Sequence, residues 1–463
     1  MASHGEELTG FDTIGNATLI FYDRGRPVLA TDPWIDGFPY FGSWSMSHEI
    51  PVAQREAILG ADHIWFSHGH PDHINWDSLE LLRQKHLLIP NHFGGRILKD
   101  LRSQGFNADP MADREWVALS DSIRVMCIAN HFQDAILLAD VNGRLVANFN
   151  DSSDHGWGRT VRKIIAEYET SFLLNLMGRG DADMINFMSE DGQRIVPPAM
   201  QRPPVGKWLC DLMEWFGAKY FIPFSAMHRY HRADSAWAND CVTQMSDYEI
   251  GFDEKKRGSL LPAFIRYNCT TDQWTEINPN VLPVEIVPPE QFGDHWSDPL
   301  EAADQRLLTK YFRSFEHLST FLDFVTFRVG GRDHVVELAP RKYRRGITFE
   351  VPRHSLMKAV EYEIFDDLLI GNFMKTTLHG SWGAGKLYPD FTPYITKYGD
   401  NGRAKTREEL RAYFQHYRNR ALIESMLHEL LQLARHHVIN RVPQNSPFFA
   451  SAKGVFRALR RTL

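Results

Sequence analysis

The 463-residue chain has four cysteines, Cys127, Cys210, Cys241 and Cys269, all far apart and none in a C-x-x-C pair. That spacing argues against a disulfide scaffold and a cysteine-built zinc site, and it fits a reducing, cytoplasmic setting. No uncharged apolar run reaches the ~18 residues that a membrane span needs. The first residues, Met1 to Glu7, lack the basic and apolar blocks of a signal peptide. A soluble, intracellular protein without a membrane partner is expected. Positive charge is not in excess either. The formal net charge is −7, so nucleic acid is not the expected partner. Internal repeats and low-complexity tracts are absent. What remains is an ordinary globular composition, 43% hydrophobic and 24% charged, long enough for two or three domains.

Short apolar runs alternate with helical patterns over residues 15–250. Strands are predicted at 17–22 and 28–31, joined by a turn at Asp23-Arg24-Gly25-Arg26. A buried strand at 63–66 precedes a helix through Leu79, Leu81 and Leu82, with Asp77 or Ser78 as its cap. Further strands are predicted at 123–126, 135–138 and 145–148. Asn142-Gly143 accepts the positive φ of a type I′ hairpin turn. This is a layered α/β domain over 1–250. From 251 to 463 the pattern changes to an α+β accessory domain. A linker-like stretch holds Pro288, Pro289, Gln291 and Asp294. An antiparallel meander is predicted at 323–329, 334–338 and 347–351, followed by helix over 407–437. The basic residues 453–463 read as a solvated terminal helix. The accessory domain is free to cap a site, line a pocket or form a homo-oligomer.

The chemistry concentrates in His68-Gly69-His70-Pro71-Asp72-His73. Three imidazoles and a carboxylate in six residues repel and resist desolvation unless a cation binds them. His68 and His70, two apart at a strand end, can turn to one ion. Asp72 and His73, after the bend at Pro71, can face a second. A chance histidine-rich turn accounts poorly for this order between an apolar strand and a capped helix. Further ligands are expected after other strands. His131 is the candidate third ligand of the first ion, and Asp151 the candidate bridge, with Asp154 and, more weakly, His155 as rivals. His228 and His231 both qualify as the last ligand. Either is also readable as a group that orients one.

Gly15-Asn16-Ala17-Thr18, Thr31-Asp32-Pro33-Trp34, the His68 motif, His131, Asp151 and Pro223-Phe224 together resemble the ordered landmarks of the metallo-β-lactamase superfamily. The resemblance covers about half the chain and implies an αββα sandwich. Trp44 with His48-Glu49-Ile50-Pro51, and the stretch Asn148 to Asp151, make it most similar to the metallo-β-lactamase-like part of the CMP-N-acetylneuraminate hydroxylase family. A His-x-x-Asp segment in that family points to His231 and Asp234, which favours His231 over His228 as ligand. Phe365-Asp366-Asp367-Leu368-Leu369-Ile370-Gly371 is similar to a late stretch of the same family. Asp72 and His231 are the residues given catalytic roles on this basis.

That family carries a Rieske centre marked by paired C-x-H and C-x-x-H, and no cysteine of this sequence stands in either arrangement. The resemblance therefore implies an external electron donor, or electrons from the substrate. It favours two iron ions and an O₂-dependent monooxygenase, with a small polar or anionic metabolite as substrate. The alternative is a dinuclear zinc hydrolase of an ester, amide or phosphodiester. A purely structural metal fits less well, because structural zinc usually closes its shell with cysteine. Around the substrate, Trp34, Phe38, Tyr40, Phe41 and Trp44 suggest an aromatic wall, or else a packed loop. Arg229 and Arg232 are candidate anion contacts, or else solvated loop arginines. His416, His428, His436 and His437 lack a partnering ligand pattern and read as surface or satisfied core groups.

Overall fold

The computed structural model describes residues 7–177, 184–201, 204–253, 255, 258–383 and 385–441. The basic stretch 453–463 lies outside the described residues.

Alternation along the strands explains how two sheets come to share a core. In Thr18–Asp23, Leu19 and Phe21 face one apolar cluster while Ile20 and Tyr22 face another. Ile123–Ala129 does the same, with Val125 and Cys127 on one side and Met126 and Ile128 on the other. Successive side chains point to opposite faces of a strand, and here both faces are covered. The inner residues merge into one core between an eight-stranded and a seven-stranded sheet among the described residues. The outer face of the first sheet packs under Val52–Gly60, Trp76–Leu81 and Arg96–Ser103 through Ile58, Leu79 and Leu101. The outer face of the second packs under Gly158–Ile165 and Gly206–Phe216 through Val161, Ile165, Leu209 and Met213. The result is a helix–sheet–sheet–helix sandwich of the α/β class.

Strand direction fixes where a site can form. Arg26–Thr31, His63–Trp65, His86–Pro90 and Ala108–Met111 run parallel in the first sheet. In the second, Arg144–Asn150, Ser171–Asn175 and Tyr220–Pro223 run parallel. Ile123–Ala129 points the same way, two antiparallel steps removed through Ala135–Val141. Their C-terminal ends share an edge in each sheet, the usual position of functional loops in such sheets.

Several local expectations meet different outcomes. The Asn142-Gly143 turn forms, with both φ values positive and Val141 paired to Arg144. The cap of Trp76–Leu81 is Asn75, not Asp77 or Ser78; its side chain accepts from both of those amides. The meander is only half antiparallel. Phe324–Val329 pairs antiparallel with Arg332–Glu337 but parallel with Gly346–Glu350. The long helix breaks at Ala421, whose φ of −155° and ψ of 74° are not helical, leaving Arg407–Arg420 and Leu422–Arg441.

Sheet membership crosses residue 250 in both directions. Ile265–Asn268 pairs with Gly10–Ile14 and extends the first sheet. Phe187–Met188 pairs with Lys375–His379 in a third sheet. That third sheet packs Val325, Phe327, Ile347 and Phe349 against Ala302–Ser314, Arg353–Glu361 and Phe365–Ile370. The last of these helices carries Asp366 and Asp367 to the edge where the first two sheets end their strands.

Candidate metal centre

The strand His63–Trp65 leads through buried Phe66 and Ser67 into a turn. The amides of His73 and Ile74 both donate to the carbonyl of His70, at 3.0 and 2.8 Å, and Asn75 then starts the next helix. This winding gathers His68, His70, Asp72 and His73 in one place, each buried. Asp151 arrives from the other sheet. A register shift between Asn148 and Asn150, with Asn150 at φ 56°, turns the chain toward the motif.

Asp151 lies between the two halves of the motif. Its Oδ2 is 3.8 Å from His68 Nε2 and 3.5 Å from His73 Nε2. His68 Nε2 is 2.8 Å from His70 Nδ1, and Asp72 Oδ2 is 3.3 Å from His73 Nε2. Two groups that could hold a metal ion result: His68, His70 and Asp151, and Asp72, His73 and Asp151. Within each, the donor atoms lie within 4.8 Å of one another.

The donor atoms fit metal ions. His73 Nε2 is buried without a hydrogen-bond partner, and two carboxylates face it. Burial alone would lower the His73 pKa. Asp72, Asp151 and Asp32 outweigh it and raise the value well above normal. Asp72 itself is held below the usual carboxylate range, because His73, His70 and the Tyr40 hydroxyl outweigh its burial. A proton or a divalent cation would meet the same demand at that point, and a bound metal ion would take the place of the proton. Burial, then the neighbouring His73 and His70, drives the His68 pKa well below normal, which keeps this imidazole neutral and available as a ligand.

A second layer of polar groups orients these side chains, the kind of support that a metal-ligating imidazole or carboxylate needs. Asp32, fully buried, accepts from the amide of Ser67 at 2.7 Å and lies 3.4 Å from His73 Nδ1. Asn150 Nδ2 donates to Asp32 and Ser67. Asn16 Nδ2 donates to Asp72 Oδ2 at 2.8 Å, and Tyr40 donates to Asp72 Oδ1. Burial, then the charge on Asp72, raises the Tyr40 pKa, so its proton stays on. Ser225 donates to Asp151 Oδ1. Asp134 Oδ1 lies 3.5 Å from His68 Nδ1, and burial, then Asp151, pushes its carboxyl up to about 8. From the third sheet's helix, Asp366 reaches His70 Nε2 at 2.9 Å, with Lys397 2.9 Å from Asp366 and 3.0 Å from the same nitrogen.

The other predicted residues do not join these two groups. The ring of His131 belongs to a separate group with His155 and His428, not to either ligand group at the motif. Asp154 lies against Gly158, and its carbonyl accepts from Trp157. His228 is fully buried and stacks on Trp44 at 3.5 Å; neither ring nitrogen has a hydrogen-bond partner. Burial, opposed by the charge of Asp72, pushes the His228 pKa down to about 3. His231 instead stacks on Phe38 at 4.6 Å. Trp34 is buried, its indole N–H donating to the Gly37 carbonyl at 3.0 Å. Arg229 donates to the carbonyl of His228. Arg232 is wholly inside, paired with Asp234 at 2.8 Å and Asp294 at 2.7 Å and lying over the Phe373 ring. Its guanidinium is committed to the protein.

Sequence reasoning assigned no site role to Asp32, Asn16, Asp134, Asp366 or Lys397, and it placed Tyr40 in an aromatic wall or packed loop, not against Asp72. Asp32, Asn16 and Asp366 stood inside segments that already carried the resemblance. Nothing local marked Asp134 or Lys397.

No family model matches the chain. Over 144 residues, 29% of its length, it is 28% identical to the cytidine monophosphate-N-acetylneuraminic acid hydroxylase of Asterias rubens. Over 149 residues, 30% of its length, it is 26% identical to the Mus musculus protein of the same name. These matches span only 22% and 26% of those relatives. Among solved structures it is similar to CmlA, a diiron β-hydroxylase from Streptomyces venezuelae. That likeness has 12% identity and a TM-score of 0.35 and covers 59% of this chain and 55% of that one. It is also similar to Igni18, a metallo hydrolase from Ignicoccus hospitalis, at 12% identity and a TM-score of 0.33, covering 58% and 98%.

The layers and the strand-end cluster together define the class: an αββα sandwich with two groups of possible metal ligands at the edge where its strands end. Within that class, its sequence is similar to the sialic acid hydroxylases over less than a third of its length.

Proposed function

We propose that this chain is an O₂-dependent dinuclear iron oxygenase of the hydroxylase type, acting on a small polar or anionic metabolite with electrons from a separate partner. The sequence match to hydroxylases carries the choice of oxygenation, because the donor set alone suits iron and zinc equally. His68, His70 and Asp151 would hold one ion, and Asp72, His73 and Asp151 the other. His228 is the better candidate for the remaining ligand than His231, since its unpartnered ring nitrogens lie within the influence of Asp72. The bound irons would supply O₂ reduction and oxygen insertion.

The chain's own contribution is orientation and proton control. Tyr40 and Asn16 each donate to one oxygen of Asp72 and fix its rotation. Asp32 sits on the Nδ1 side of His73 and leaves Nε2 toward the centre. Tyr40 and Trp44, both buried and in edge contact at 4.5 Å, keep bulk water from the Asp72 side. Asp151, partly exposed, is the ligand nearest solvent. The half-buried Arg229 is the remaining candidate for an anionic substrate group. We read the chain as a metal domain joined to an accessory unit that closes the centre through Asp366 and Lys397.

The test is protein purified anaerobically from iron-replete cells. Two irons per chain at this centre and reductant-dependent O₂ uptake are expected. Stoichiometric zinc with esterase or phosphodiesterase turnover would overturn the reading in favour of a hydrolase.

A further inference from the structure

Three histidines from three distant segments converge outside the centre just described. His131 follows the strand Ile123–Ala129, His155 follows Arg144–Asn150, and His428 lies on the helix Leu422–Arg441. One ring nitrogen of each lies within 4.8 Å of the others. Ring centroids are 5.4 Å apart for His131 and His155, 5.5 Å for His131 and His428, and 6.1 Å for His155 and His428. The rings are mutually steep, at 65° to 76°, so they converge edge-on and do not stack.

The packing around them is built for close approach. Gly156 adopts φ +98°, and a Cβ there would come within 3.1 Å of His428 Cβ and 3.3 Å of the Glu424 carbonyl. Only a residue without a side chain lets this loop seat against the helix. His155 is held at φ 38° with its ring stacked on Phe132 at 4.3 Å. Tyr413 donates to the His131 carbonyl and anchors that loop to the preceding helix.

We propose that His131, His155 and His428 form a further metal site, separate from the dinuclear centre, that takes a single zinc ion. Three imidazoles without a carboxylate suit zinc and other late divalent metals and do not suit magnesium or calcium. Three protein ligands leave a fourth position for water. The site lies on the loops that also carry Asp134 and Asp151. An ion there ties the helix Leu422–Arg441 to the wall of the dinuclear centre.

The test is zinc counting on the full chain, stripped with chelator and reloaded with Zn²⁺ alone. The wild type is expected to bind one equivalent more than His428→Ala, and one more than His155→Asn, a residue that tolerates the left-handed backbone. The His428-dependent equivalent should survive in His73→Ala, so the result stands apart from the fate of the dinuclear reading. Zinc should slow tryptic cleavage within residues 422–441 in the wild type and not in His428→Ala. Equal counts in wild type and both variants would overturn the proposal, and so would a loss of more than one equivalent.

Discussion

The carboxylate of Asp366 stands 2.9 Å from His70 Nε2, although 296 residues separate the two in sequence. Burial opposes its charge, but Lys397 and His70 hold it below the usual carboxylate range. The imidazole is thereby fixed with Nδ1 toward His68. Removing an orienting partner of a ligating histidine typically lowers metal affinity roughly 10- to 100-fold. Asp366→Ala is expected to lose metal to a competing chelator at correspondingly lower concentration. Unchanged competition would mean that Asp366 does not position His70.

The two histidines after Tyr220–Pro223 differ in surroundings. His228 is buried beside Trp44 and feels the charge of Asp72, whereas His231 packs on Phe38. His228→Ala is expected to lower the metal content of the centre, and His231→Ala to leave it unchanged. Metal analysis of the two variants decides, and loss at His231 alone would reverse the assignment.

Arg232 serves the fold. It is fully buried between Asp234 and Asp294. Removing one partner of a buried ion pair strands the other charges and costs about 3–5 kcal/mol. Arg232→Leu is expected to lower unfolding stability by that order in denaturant titration, with KM unchanged in whatever native protein remains. A raised KM at unchanged stability would restore its role as a substrate contact.

Asp400 predicts a pH dependence. It is buried, accepts from the Tyr311 hydroxyl at 2.6 and 2.8 Å, and burial pushes its carboxyl from 3.8 up to about 7. The folded state therefore holds a proton that the unfolded chain has released. Its contribution is complete below pH 3.8 and is lost as pH rises through about 7. Asp400→Asn, which keeps an acceptor for Tyr311, should flatten the stability profile across that interval. A parallel profile in the variant would rule Asp400 out as the source.

The distance over which each feature is encoded explains what the sequence made legible. The His68 motif is six consecutive residues after a strand, so its chemistry could be read directly. Asp151 followed from the same logic, because a carboxylate just past a strand end reaches the sheet edge. Asp366 and Lys397 depend on how the third sheet docks, which no local period records. A solvated loop arginine and one sealed between two aspartates look identical in sequence, hence the reading of Arg232 as an anion contact. The parallel pairing of Phe324–Val329 with Gly346–Glu350 was missed because alternation encodes burial and not strand direction. His428 showed helical spacing alone, and its companions His131 and His155 lie hundreds of residues away.

In the proposed centre, Asp151 would join two metal ions held by the two halves of the motif. Anomalous diffraction from crystals of the metal-loaded full chain tests it most directly. Two peaks about 4 Å apart are expected, one beside His68 and His70 and the other beside Asp72 and His73, with the Asp151 carboxylate between them. A single peak at the motif, or two peaks with Asp151 turned away from both, would rule out a bridging Asp151.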